Sequence, residues 1–234
     1  YDLFNLLKLY QQYYPQPPAE IEQEIQAIDL DFVQEDFLRL LQSMKTGADR
    51  IQQIVLALRN FSRLDEAERK AADLNEGINS TLMILQHRLK PQDNRPAIEA
   101  IKDYGKFPLV ECYPGQLNQV FMNLLSNAID ALEEKWQEEL NFIPQIRICT
   151  EAIETPNTVN GKLIRIRIID NGNGIPEPVQ KSIFDPFFTT KPVGKGTGLG
   201  LSISYQIIVE KHKGRLECYS QLGQGTEFII ELEG

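Results

Sequence analysis

Glycine recurs at every second position in two short stretches, Asp170-Asn-Gly-Asn-Gly174 and Gly194-Lys-Gly-Thr-Gly-Leu-Gly-Leu201, and this spacing limits the fold more than any other feature. A residue without Cβ admits sharp turns and the close approach of another group, and it weakens any helix or strand that it interrupts. Leu163–Ile169 leads into the first stretch as an apolar, β-branched strand, and Ile203–Lys211 continues the second as a helix. No glycine-rich turn here joins a strand to a helix with an acid about 20 residues further on, so a Rossmann dinucleotide fold is disfavoured.

Around these turns the hydrophobic period switches repeatedly. Helices are predicted at Ile78–Leu89 and Leu117–Leu132, and strands at Ala97–Lys102, Leu109–Cys112 and Ile146–Ile153. Arg215–Tyr219 and Thr226–Leu232 read as an antiparallel pair closed around Gly223–Gly225. The sum is an α+β fold, a sheet with helices on one face. A length of 234 residues allows one large domain or two smaller ones. The charged run Asp65–Lys70, followed by Ala71-Ala72-Asp73, places a junction between residues 1–72 and 73–234.

The upstream part reads as helical. Residues 1–10 repeat apolar side chains at helical spacing without a capping residue, as in a helix entered partway, and prolines at 15, 17 and 18 end it. Between Glu20 and Asp36 acids occur without any Lys or Arg, the pattern of a solvated face. Phe37, Leu41, Met44, Ala48, Ile51, Val55 and Leu58 then alternate steps of four and three, widened by Leu40, Ile54 and Phe61. Such a stripe predicts a helical hairpin that dimerises into a bundle, with a monomeric hairpin packed on the rest of the chain as the alternative.

Composition removes several function classes. With 33 acidic against 24 basic side chains the net charge is −9, which repels a nucleic-acid backbone. Cys112, Cys149 and Cys218 are odd in number and form no CxxC pair, so they read as core thiols in a reducing compartment. No apolar run reaches the roughly 18 residues of a membrane helix. The expectation is a cytoplasmic fragment, with membrane anchoring of a longer protein left open.

Four pieces carry chemistry. Asn123 and Asn127 are four apart on an apolar helix and share one face; they either hydrogen-bond into the interior or meet a ligand or metal shell in a cleft. Asp130 near them reads as a surface or capping acid. Asp170 ends a buried strand, placed to accept a hydrogen bond from an exocyclic amine, and the glycines at 172 and 174 leave room for a flat ring. Phe184-Asp-Pro-Phe-Phe-Thr-Thr-Lys191 offers aromatic anchors with Thr189, Thr190 and Lys191 at the polar end. Finally, Gly194–Leu201 presents backbone amides at a helix start, a phosphate site that differs from a P-loop because Lys195 precedes the glycines.

In this order the pieces resemble the catalytic ATP-binding domain of sensor histidine kinases, in the superfamily that also holds the gyrase, Hsp90 and MutL types. The N box corresponds to Asn123–Ala131, the G1 box to Asp170–Gly174, the F box to Phe184–Phe188 and the G2 box to Gly196–Leu201. Gly225-Thr226-Glu227-Phe228 matches the closing motif. The resemblance covers residues 73–234 and implies the α/β sandwich of that superfamily, with ATP and Mg²⁺ as cofactors. It further implies that Asn127 holds Mg²⁺, Asn123 and Lys195 place the phosphates, and Asp170 binds the adenine amine. Phe188–Gly198 would form an ATP lid carrying Lys191 and Lys195. Gly172, Gly174, Gly196, Thr197, Gly198, Leu199, Gly200, Leu201 and Thr226 would complete the nucleotide surroundings.

Hydrolytic relatives place a Glu where this chain has Asn123, and an amide is no base at neutral pH, so transfer to an acceptor is expected rather than rapid hydrolysis. Residues 1–72 resemble part of the family's dimerisation and phosphoacceptor domain, with Phe32–Ala67 as its second helix, Leu56–Arg63 leading to the linker, and the acidic and proline-rich stretch as an enlarged hairpin loop. Its H-box histidine is missing. The chain contains only His87 and His212, both reading as solvated or packing residues, which puts the acceptor upstream of residue 1. The implied partners are a second copy of the chain, a response-regulator receiver domain and an upstream sensor domain. A non-catalytic ATP-binding regulatory or scaffold module is the alternative.

Overall fold

A computed structural model of the chain describes residues 6, 9–10, 12–27, 32–33, 36–41, 43–45, 48, 68–92, 95–139, 141–155, 161–191 and 198–234. The chain divides into two compact units, Tyr1–Gln53 and Ile54–Gly234.

In the first unit, α1 (Ala19–Ala27) lies inside the stretch expected as a loop. Its first turn carries Glu20 and Glu22, where carboxylates favour the positive end of the helix dipole, and the amides of Ile21 and Glu22 donate to the Pro18 carbonyl at 2.9 and 3.1 Å. The acidic run is thus compatible with helix. Residues 36–41 and 43–45 are also helical, and Phe37, Leu40, Leu41 and Met44 of the predicted stripe are exposed. Ile51, Ile54, Val55, Leu58 and Phe61, the segment 56–63, and most of residues 1–10 lie outside the described residues.

The second unit is built on a five-stranded sheet in the order β2–β4–β5–β7–β6, formed by Glu99–Tyr104 (β2), Gln145–Glu154 (β4), Lys162–Asp170 (β5), Gly225–Glu233 (β7) and Arg215–Gln221 (β6). β2 runs parallel to β4, and every other pair is antiparallel. Parallel neighbours require a crossover, and the long helix α4 (Pro114–Glu138) lies between β2 and β4 in the chain. A separate antiparallel pair joins β1 (Lys70–Ala72) to β3 (Val110–Cys112). β1 falls before the expected junction at Asp73, in a segment too short and charged for strand alternation to show. Asp73 itself caps α2 (Leu74–Ile84), its carboxylate accepting from the amides of Asn75 and Glu76 at 2.8 and 3.3 Å. The predicted helix at 78–89 therefore starts earlier and is divided, α2 being followed by a single turn, α3 (Gln86–Leu89).

Strand parity decides where the core lies. In β5 the even residues Ile164, Ile166 and Ile168 are buried, while Arg165 and Arg167 on the other face pair with Glu231 and Glu227. Ile166 stands opposite Ile230 of β7, and Ile168 stands between Ile148 of β4 and Phe228 of β7. Against this row pack Leu124, Leu125, Ile129 and Leu132 of α4 and Ile78 and Leu82 of α2, all buried in one cluster. Each such side chain contributes about 1.5–3 kcal/mol, so the inner face, on which α2 and α4 pack, is the stable platform. Among the described residues no helix is long and apolar enough to cross a membrane.

Candidate active site

The parity that buries Ile164–Ile168 also carries Asp170, the last residue of β5, to the inner face. Opposite it in β7 stands Thr226, and a cavity of about 410 Å³ opens between this strand end and α4. One helix stripe, Asn123, Asn127, Asp130, Ala131 and Glu134, lines one wall. Ile175, Val179 of the single turn α5 (Glu177–Gln180), Ile183 and Phe228 flank Asp170 on the other, making an apolar slot with a carboxylate inside it.

Asp170 is 5% exposed. Burial pushes its carboxyl up to about 6, and the Gly172 and Thr226 amides with the Lys135 ammonium hold it from rising further. The Gly172 amide donates to Oδ1 at 2.8 Å. Ser220 Oγ accepts from the Ile175 amide at 2.7 Å and donates to the Gly225 carbonyl at 2.9 Å. A hydroxyl has one proton, so the 2.9 Å contact between Ser220 and Thr226 uses the Thr226 proton. Thr226 is left with lone pairs beside Asp170.

The space that a Cβ would need at the two G1 glycines is occupied by protein, and Gly174 also lines the cavity. A Cβ at Gly172 would stand 2.9 Å from Ala131 Cβ on α4, and one at Gly174, whose φ is +71°, would stand 2.2 Å from the Gln221 carbonyl oxygen. Lys135 fastens the same turn. Its ammonium donates to the carbonyls of Asn171, Gly172 and Gly223 at 3.0, 3.3 and 3.0 Å and lies 4.6 Å from the Phe142 ring centre. Sequence reading missed Lys135 because the predicted helix ended at Leu132, whereas α4 continues to Glu138. The usable signal was its spacing of eight from Asn127 on the same helix face.

Asn123 hydrogen-bonds into the interior and also borders the cleft. It lines the cavity, and its Nδ2 donates to the Gly200 carbonyl at 2.9 Å and to Ser204 Oγ at 3.3 Å. It thereby ties α4 to α6 (Gly200–Tyr205), the helix after the second glycine stretch, which passes into a π-helical turn at Gln206–Lys211. Gly198, Gly200 and Leu201 line the cavity, while Gly172 and Leu199 lie beside that lining. Lys195, Gly196 and Thr197 lie outside the described residues.

Lys191 lines the cavity beside Asp130, and Asp130 departs from expectation. The Lys191 ammonium is paired with Asp130 and stands 3.4 Å from Asn127 Oδ1. Asp130 is no simple surface acid: its other oxygen receives Arg88 Nη2 at 2.6 Å, and Arg88 also reaches Glu133 at 2.6 Å. Asn127 and Asp130 therefore turn hard oxygen donors toward one cation, a set that fits Mg²⁺. No cluster of three or more His, Cys, Asp or Glu side chains forms a complete metal cage among the described residues. Any metal here would take its remaining ligands from phosphate and water.

The histidines divide. His87 is exposed, with Nδ1 3.2 Å from the Ile84 carbonyl. His212, expected as a solvated cation at a helix end, is instead half-buried. Its Nε2 accepts from the Tyr113 amide at 3.0 Å while Nδ1 donates to the Ile207 carbonyl at 2.7 Å, which requires the neutral ring. Burial, partly offset by that carbonyl, holds its pKa below the usual value. Of the cysteines, Cys112 is fully buried and Cys149 and Cys218 are partly so.

Residues 112–234 match the family described as histidine kinase-, DNA gyrase B- and HSP90-like ATPases, and the chain belongs to that family. Within it, the similarity runs to sensor histidine kinases. The chain is 36% identical over 194 residues to the sensor kinase CckA of Brucella abortus, covering 82% of this chain and 20% of that protein. It is 30% identical over 194 residues to the sensor histidine kinase ZraS of Escherichia coli K12, covering 83% and 37%. The nucleotide-free catalytic domain of the histidine kinase ThkA superposes with a TM-score of 0.56 at 30% identity, over 71% of this chain and 95% of that domain. The chain thus carries a catalytic ATP-binding domain homologous to those of sensor histidine kinases, and it spans well under half the length of these curated relatives.

Proposed function

We propose that the chain is the ATP-dependent kinase core of a two-component sensor, with residues 73–234 as catalytic domain and residues 1–72 as part of a dimerisation domain. The observation that carries this reading is the single cavity in which Asp170 faces the Asn123–Asn127 stripe. Asp170 accepts the adenine amine in the apolar slot, and the Thr226 hydroxyl beside it offers acceptor lone pairs. Asn123, Lys195 and the backbone at Gly196–Leu201 orient the phosphates, with Lys191 near them. Asn127 would hold Mg²⁺, which would supply charge neutralisation to the phosphates. Lacking a carboxylate base at position 123, the site presents the γ-phosphoryl to a histidine instead of to water.

That histidine belongs to neither His212, whose ring nitrogens are both engaged, nor His87, in a short helix without an adjacent acid. An aspartate of a response-regulator receiver domain then takes the phosphoryl group. The test is transfer from radiolabelled ATP. The chain alone should remain unlabelled, and addition of a helical domain bearing an H-box histidine should yield acid-labile label on that domain. Tight ATP binding with no transfer to any such domain would favour a non-catalytic module, and acid-labile label on the chain alone would overturn the missing-acceptor reading.

A further inference from the structure

Lys191 makes a contact that phosphate binding does not explain. Its ammonium is held between Asp130 and Oδ1 of Asn127, the residue assigned to the metal. We propose that Lys191 is a resident placeholder cation: in the nucleotide-free protein its ammonium fills the metal position, whose ligands are Asn127 Oδ1 and Asp130 Oδ2, and the two cations are mutually exclusive. The proposal rests on the nucleotide-site reading given above.

Asn127 and Asp130 are three apart on α4 and therefore neighbours on one face. The Asp130 carboxylate is held from behind. Arg88 takes Oδ1 at 2.6 Å and anchors itself on Glu133 at 2.6 Å, while Arg95, 7% exposed, pairs with Glu133 at 3.5 Å and donates to the Arg88 carbonyl. With Oδ1 committed, Oδ2 faces Lys191, and Arg88 fixes its direction as an outer hydrogen-bond partner fixes a metal ligand.

A bare divalent cation must displace a positive charge to enter. A cation arriving with a nucleotide brings phosphate oxygens that take up the displaced ammonium. Metal and nucleotide consequently bind as a unit, and the two roles of Lys191, at the metal position and at the phosphates, belong to two states of one side chain.

Mn²⁺, followed by electron paramagnetic resonance, probes both states without any turnover. Free Mn²⁺ should bind the unaltered protein weakly and Lys191→Met or Lys191→Gln about tenfold more tightly, the factor expected if lysine holds the site for about nine-tenths of the time. Asp130→Asn added to Lys191→Met should abolish the gain. Equal Mn²⁺ affinity in the unaltered protein and both Lys191 variants overturns the placeholder. Mn²⁺ with ADP should bind the unaltered protein in either case; if it does not, the nucleotide-site reading fails and the placeholder falls with it.

Discussion

At the scale of single residues, Asp170 combines a structural cost with the adenine-binding role proposed for it. Its folded pKa, raised to about 6 chiefly by burial, means that the fold prefers the protonated acid. Its contribution to stability is therefore present at low pH and is lost as pH rises from the unfolded value through about 6. Nucleotide binding runs the other way, because only the carboxylate accepts from the adenine amine without a competing proton. Calorimetry should show ATP affinity constant near pH 7.5 and falling about tenfold per unit below pH 6. Asp170→Asn should weaken ATP by about tenfold or more at pH 7.5 and flatten that profile, since a charged acceptor is worth roughly 1.5–3 kcal/mol. Unchanged affinity would remove Asp170 from the adenine site. The position of Asp170 was legible because period two fixes its face; its pKa was not, because it is set chiefly by burial in the folded cavity and only moderated by the amides of Gly172 and Thr226 and by Lys135.

At the scale of elements, α4 organises the site along its length. Asn123 is bonded to α6, Asn127 and Asp130 hold the Lys191 ammonium, and Lys135 grips the turns at Asn171–Gly172 and Gly223. Lys135→Met removes three donated bonds and leaves carbonyls to find water, for a loss of about 1–3 kcal/mol in unfolding measurements. It also removes a positive charge that lowers the Asp170 pKa. The pH midpoint of ATP binding should therefore move upward in Lys135→Met and return in Lys135→Arg. A stability loss with no movement of the midpoint would make Lys135 a purely structural staple. Periodicity revealed the apolar centre of this helix but not its last turns, where Glu133, Glu134 and Lys135 make no apolar stripe. His212 shows the same limit, since its sequence neighbours are charged while its partners, Tyr113 and Ile207, include one brought close only by the fold.

At the scale of the whole molecule, the first unit leaves Phe37, Leu40, Leu41 and Met44 exposed along one predicted stripe. An apolar stripe of this kind is what a second copy would cover. Sedimentation should give a dimer, and Leu41→Glu with Met44→Glu should give a monomer whose ATP affinity matches that of the parent. A parent that sediments as a monomer at all accessible concentrations would contradict dimerisation through this stripe. Helix over the described residues 36–41 and 43–45 was legible from that spacing, whereas the helix at Ala19–Ala27 was not, because its acids signal solvation as readily as a favourable first turn.

The alternation along β5 has one more consequence, for change in length rather than in identity. Deleting Ile168 while keeping the downstream pairing would carry Arg165 and Arg167 to the core face and away from Glu231 and Glu227. Keeping the upstream pairing instead would turn the carboxylate of Asp170 outward and bring Asn171 into its place at the cavity. Neither choice preserves both halves of the strand, so β5 can diverge in side chains yet has almost no freedom to gain or lose a residue.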